Sequence, residues 1–157
     1  MRTMPFIEKL VNEEKIKIGV PSRNIASSYD EKSRNALRAA RILFNQKLFE
    51  EAVSMAYYAM YHKATALFYL IGIKCESHAA VIVLLKELFG IDNTDISFAK
   101  KERVDKQYYI DFIVSENDVK DMISLSEKFT GNMDIFIDKL TEEEKKGFLQ
   151  EFKKAYF

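Results

Sequence analysis

The chain has 157 residues, inside the range of about 100–200 expected for one domain, and its 48% apolar and 31% charged residues allow both a core and a wet surface. Five glycines and two prolines are too few to supply the frequent turns of an all-β fold. Lysine plus arginine equals aspartate plus glutamate at 24 each, so no global field attracts nucleic acid or acidic membranes, and any polyanion site has to be local.

The first apolar stretch, Phe6–Ile7 and Leu10–Val11, is interrupted by Glu8 and Lys9 before a signal peptide could form. Its spacing predicts a short helix from Phe6 to about Lys15. Ile18-Gly-Val-Pro-Ser reads as a connector, because Gly19 and Pro21 both discourage helix. Ser27 or Ser28 offers an N-cap for a second helix, with Asp30 and Glu31 in its first turn and an apolar face of Ala36, Leu37, Ala40, Leu43 and Phe44, ending near Gln46. Phe49 to Ile71 contains no Gly or Pro, and Phe49, Val53, Ala56, Met60, Ala64, Leu67 and Ile71 step at threes and fours, which predicts a long third helix. Gly72 stands where a left-handed C-terminal residue belongs. The same segment holds the longest apolar run, Ala64 to Ile73, about half of the ~20 residues that span a bilayer.

Ser77 caps a fourth helix over Ala79 to Phe89, closed by Gly90, and Asp92-Asn-Thr-Asp95 forms a turn. A more polar fifth helix is expected over Ile96 to Ile113. Asn117 caps a sixth, which carries Val119, Met122, Ile123, Leu125 and Phe129 and bends or breaks at Gly131. Thr141 with Glu144 makes a capping box for a last helix. The expected fold class is all-α: an up-and-down helical bundle of about five core helices with extra terminal helices, one domain over 1–157 with its core near 28–140. The single cysteine, Cys75, excludes an internal disulfide and fits a reducing cytosol. A cytoplasmic protein that neither spans nor binds a membrane is expected.

Phosphate loops, nucleophile elbows and zinc-protease helices are absent from the sequence. His62 and His78 lack ligand spacing, and no Glu-x-x-His pair marks a di-iron bundle; neither a metal nor a cofactor is expected. Three features remain. In Ala56-Tyr-Tyr-Ala-Met-Tyr-His-Lys-Ala64, Tyr58 and His62 form an i, i+4 pair. They read either as a helix packed on several sides with hydroxyls at its edges or as a polar seam along a groove. Between Lys100 and Lys106, four positive and two negative charges surround Arg103 and Asp105, with Tyr108 beyond. This is either a solvated face or a phosphate site built on a bidentate arginine and a tyrosine. Arg34, Arg38 and Arg41 line one side of the second helix, either as a basic stripe for a nucleic-acid backbone or acidic partner, or as a solvated face paired in part with Asp30 and Glu31.

Taken in order, Ser33-Arg-Asn-Ala-Leu-Arg-Ala-Ala40, Tyr57-Tyr-Ala-Met-Tyr-His62, Ser77-His78-Ala-Ala-Val-Ile82 and Arg103-Val-Asp-Lys-Gln-Tyr108 resemble the HEPN family, small helical domains encoded beside minimal nucleotidyltransferases. The resemblance covers roughly residues 30 to 130. It implies a homodimeric helical bundle belonging to a toxin–antitoxin or nucleotidyltransferase module. It implies RNA or nucleotide as ligand, a minimal nucleotidyltransferase as partner, and metal-independent RNA cleavage in many members, whose motif is an arginine, a polar residue and, a few positions on, a histidine. Arg103 fits that arginine, but Val104 follows it and Tyr108 takes the histidine's place. A phenol of pKa ~10 does not move protons near neutrality as imidazole does. Residues five apart on a helix also differ by about 140° and ~7.5 Å, so Arg103 and Tyr108 meet one phosphate only across two copies. Cleavage and non-catalytic binding or docking both stay open.

Two expectations accompany the site. The apolar Met55–Ile71 stretch calls for cover on more than one side, which favours a dimer through the polar seam. His62 and His78 are the remaining proton-transfer candidates. His62 lies about ten residues, or ~15 Å, before the end of its helix, so at most one of them is expected in the groove of Arg103.

Overall fold

A computed structural model describes residues 1–108 and 113–157, with side chains for all of these except 105–108. Seven helices occur among the described residues: α1 (Pro5–Asn12), α2 (Arg23–Asn45), α3 (Phe49–Ile71), α4 (His78–Glu87), α5 (Thr94–Tyr108), α6 (Glu116–Lys139) and α7 (Glu142–Tyr156), with two short strands, β1 (Ile16–Ile18) and β2 (Ile73–Cys75). The expected all-α bundle is present, with α2 to α6 central and α1 and α7 added at the ends.

The axis of the bundle is α3. Its Ala56, Tyr57, Ala59, Met60, Ala64 and Leu67 are fully buried, and α2, α5 and α6 pack along it on different sides. Small residues set the close approach. Ser33 of α2 donates to the Ala59 carbonyl, and Ser126 of α6 donates to the Ala56 carbonyl at 2.8 Å. These hydroxyls satisfy themselves on the α3 backbone and bring both neighbours against alanine positions. The chain therefore supplies most of the cover that the apolar α3 requires, which removes the packing argument for a second copy.

Several local expectations change. Helix α2 starts at Arg23, because Ser22 and not Ser27 or Ser28 is the cap: its Oγ accepts from the Ile25 N–H at 3.1 Å. Ser28, already inside the helix, donates back to the Asn24 carbonyl. Ser115 and not Asn117 caps α6, in a reciprocal box with Asp118. Gly131 neither bends nor ends α6, which is continuous through Lys139. Helix α5 begins two residues early, and Ile113 lies outside it. The caps expected at Ser77 and Thr141 are present.

The strands were not anticipated. Ile16, Lys17 and Ile18 pair antiparallel with Cys75, Lys74 and Ile73, so a strand ends at Ile18, where the connector was expected to begin. Gly72 makes this possible. Its φ of 96° places it in the left-handed region, its carbonyl accepts from the Gly19 N–H at 2.8 Å, and a Cβ there would stand 2.9 Å from the Gly19 carbonyl oxygen.

Candidate nucleotide site at Arg103

Helix α5 lays Arg103 against the middle of α3. The Arg103 Nη2 donates to the Tyr58 hydroxyl at 2.9 Å, and the guanidinium carbon lies 4.9 Å from the Tyr58 ring centre and 5.7 Å from that of Tyr57. Both contacts favour the delocalised cation at a half-buried position. The Arg103 Nε is buried and has no hydrogen-bond partner among the described residues, so the fork is not saturated by the protein. A groove of about 190 Å3 opens here, lined by Glu50, Glu51, Ser54, Met55, Tyr58 and Arg103.

Around Tyr58 the structure gathers rings from three helices. His62, one turn along α3, stacks on Tyr58 at 5.8 Å, and His78, the first residue of α4, meets it edge-on at 6.3 Å. The His78 Nδ1 is 2.8 Å from the hydroxyl of Tyr57, and Tyr61 stacks on the same imidazole at 3.7 Å. On the other side of His62, Tyr29 of α2 stands at 5.9 Å and is itself stacked on Tyr69, with Lys32 at 5.0 Å from its ring centre. Half-buried aromatics with cations at both ends form a platform suited to bases and phosphates.

Burial lowers the pKa of both histidines. Lys32 and then His78 add to this at His62, and Arg103 and then Lys100 at His78. Burial pushes the Tyr61 hydroxyl up to about 12 and the Tyr57 hydroxyl higher still. At neutral pH the two imidazoles and the Tyr57 and Tyr61 phenols are thus neutral, with Arg103 and Lys32 as the cations beside the rings.

Of the residues singled out in the sequence, Arg103, Tyr58, His62 and His78 come together. The walls of the Arg103 groove include neither histidine, in line with the expectation that at most one would enter it, although both pack on Tyr58. The side chains of Asp105 and Tyr108 lie outside the described residues. Arg34, Arg38 and Arg41 stay exposed on α2, where Arg34 pairs with Asp30 and Arg41 with Glu127 of α6 at 2.7 Å. The solvated-face alternative describes these pairs. Lys63 was not singled out, yet it is a buried lysine, 3% exposed, held by Asp30 of α2 and by Asp134 of α6 at 2.7 Å. Its place in an apolar helix between two aromatic pairs was the available signal. No group of histidine, cysteine, aspartate and glutamate suited to a metal occurs among the described residues. No described helix is long and apolar enough to cross a membrane.

The sequence profile of the HEPN domain matches residues 26–135, from the second turn of α2 into α6. The chain belongs to the HEPN family. It is similar to a protein named "Putative toxin MJ0605" from Methanocaldococcus jannaschii, 31% identical over 115 residues that cover 73% of this chain and 71% of that protein. It is also similar to UPF0332 protein glr0978 of Gloeobacter violaceus, 37% identical over 54 residues, covering 34% of this chain and 43% of that protein. The matched HEPN region contains every described member of the Arg103 cluster.

Proposed function

We propose that this HEPN chain is the toxin-type component of a toxin–antitoxin or nucleotidyltransferase module, and that it binds RNA or a nucleotide at Arg103. Membership of the family and the likeness to a protein named as a toxin support the module. The observation that carries the ligand is Arg103 itself: a half-buried guanidinium whose Nε has no partner among the described residues, resting on Tyr57 and Tyr58 beside a groove that Tyr58 and Arg103 help to line. A phosphate meets the fork and a base meets the rings. The chain works as a homodimer, as the family resemblance implies, and in the cytoplasm, where its single cysteine fits a reducing compartment.

Titration of single-stranded RNA and mononucleotides into wild type, Arg103→Ala and Arg103→Lys tests this. Binding is expected in the wild type, lost in the alanine variant and partly kept by lysine, whose ammonium makes no planar two-point contact. Binding indifferent to Arg103 moves the site elsewhere, first to the Arg34–Arg38–Arg41 stripe. A second reading, non-catalytic docking of a nucleotidyltransferase, is favoured by Val104 and Tyr108 at the positions where ribonuclease relatives carry polar and histidine residues. It predicts complex formation with that partner and no RNA cleavage.

A further inference from the structure

The groove beside Arg103 has two glutamates in its walls, Glu50 and Glu51, together with Ser54, Met55 and Tyr58. A carboxylate repels a phosphate, so a site that held only phosphate would be weaker for having them. Among the described residues the Arg103 fork meets Tyr58 and neither carboxylate. Acids in the first turn of α3 suit the helix dipole, but the dipole is indifferent to the face they occupy. Glu51 occupies a particular face. It stands seven residues before Tyr58, two turns back along the same side of α3 and ~10 Å away in rise, with Ser54 and Met55 on the turn between.

The groove is thus graded along α3. The Arg103 guanidinium and the Tyr58 ring lie at one end, the half-buried Met55 and the buried Ser54 in the middle, and the exposed Glu51 at the other. A nucleotide has the same order: an anion, a flat face that stacks, and an edge of hydrogen-bonding groups. The volume of about 190 Å3 is below the ~300–1,000 Å3 of pockets that enclose a drug-sized molecule, which suits one base at a time.

Resting on the reading that Arg103 holds a phosphate, we propose that the base in this groove is guanine, in a free nucleotide or in a single strand, and that Glu51 selects it. An ionised carboxylate only accepts hydrogen bonds. Guanine alone among the four bases presents two adjacent donors on its Watson–Crick edge, N1–H and the N2 amino group, which meet the two carboxylate oxygens together. Adenine and cytosine set one amino donor beside a ring-nitrogen acceptor, and uracil sets its N3–H between two carbonyls. Each of these turns a lone pair towards the carboxylate. Glu50, about 100° round the helix from Glu51, contributes charge and not the paired contact.

The test is titration of GMP, IMP, AMP, CMP and UMP, and of short uridine strands carrying one guanosine or one adenosine, into the full chain. Wild type is expected to bind GMP about tenfold or more tightly than AMP, CMP or UMP, with IMP, which lacks the N2 amino group, well below GMP. Glu51→Gln should abolish the preference by weakening GMP binding, while the other nucleotides bind as well or better because a negative charge is gone. Glu50→Gln removes the same charge and should keep the preference. A preference shown by the free nucleotides marks a nucleotide site and one confined to the strands marks an RNA site; either upholds the assignment. Equal binding of all bases by the wild type, or a Glu51→Gln variant whose affinities all shift together, overturns it while sparing Arg103 as the holder of phosphate. A wild type that binds none of these probes ends both readings.

Discussion

Among the described residues Arg103 ends on two tyrosines, beside imidazoles that burial keeps neutral near pH 7. The neutrality has a measurable consequence. His62 and His78 have folded pKa values below the ordinary 6.5. Below about pH 6.5 the unfolded chain therefore binds protons that the folded chain resists, and stability falls as pH drops through that interval. The contribution is present above it. Glu13, Asp92 and Glu142, whose pKa values are lowered by hydrogen bonds to Lys15, Thr94 and Lys145 respectively, act in the same direction only in the range of ordinary carboxylates, about pH 4. Melting temperature is expected to decline between about pH 7 and 5.5 in the wild type and to flatten in the His62→Gln/His78→Gln double variant. A flat wild-type profile over that interval contradicts the buried neutral histidines.

At the scale of elements, two glycines on helices behave oppositely. Gly131 sits in α6 with no atom within 4 Å of where a Cβ would stand, so Gly131→Ala should stabilise by about 1 kcal/mol. Gly72→Ala meets both a left-handed φ and the Gly19 carbonyl, and should cost about 2 kcal/mol or more; denaturant midpoints measure both. These elements also show what the sequence could reveal. The long apolar period of α3 and the Thr141–Glu144 box are local signals, and both elements form as read. The ribbon was illegible because Ile16-Lys17-Ile18 and Ile73-Lys74-Cys75 are each too short to show a period, and their pairing depends on how α3 is placed. The start of α2 was misplaced because three serines precede the apolar face. Only Ser22, next to Pro21, has its Oγ on an orphan amide of the first turn.

Across the whole molecule, α2, α3 and α6 are tied by Lys63 with Asp30 and Asp134. Breaking a buried pair from the carboxylate side strands a charge, whereas removing the lysine leaves two acids that can rehydrate, since Asp30 and Asp134 are 29% and 54% exposed. Asp30→Asn with Asp134→Asn should therefore lower stability by about 3 kcal/mol, and Lys63→Met by much less. Equal losses in urea unfolding would contradict this account of the node. The candidate site follows the same division between local and assembled information. Arg103, Tyr58, His62 and His78 could be named from residue types and spacing, but the Tyr57–His78 hydrogen bond joins residues 21 apart, and only the packing of α4 on α3 makes it.

The central claim, that Arg103 holds a phosphate, is tested most directly by the salt dependence of RNA binding. Each phosphate neutralised releases condensed counterions, so the logarithm of the affinity should fall linearly with the logarithm of salt concentration, with a slope of about −0.7 per phosphate on a single strand. Arg103→Ala should weaken binding at low salt and flatten that slope by about one phosphate's share, with a modest fall in melting temperature from the lost Tyr58 hydrogen bond and ring contacts. The same slope and affinity in wild type and Arg103→Ala would contradict the account.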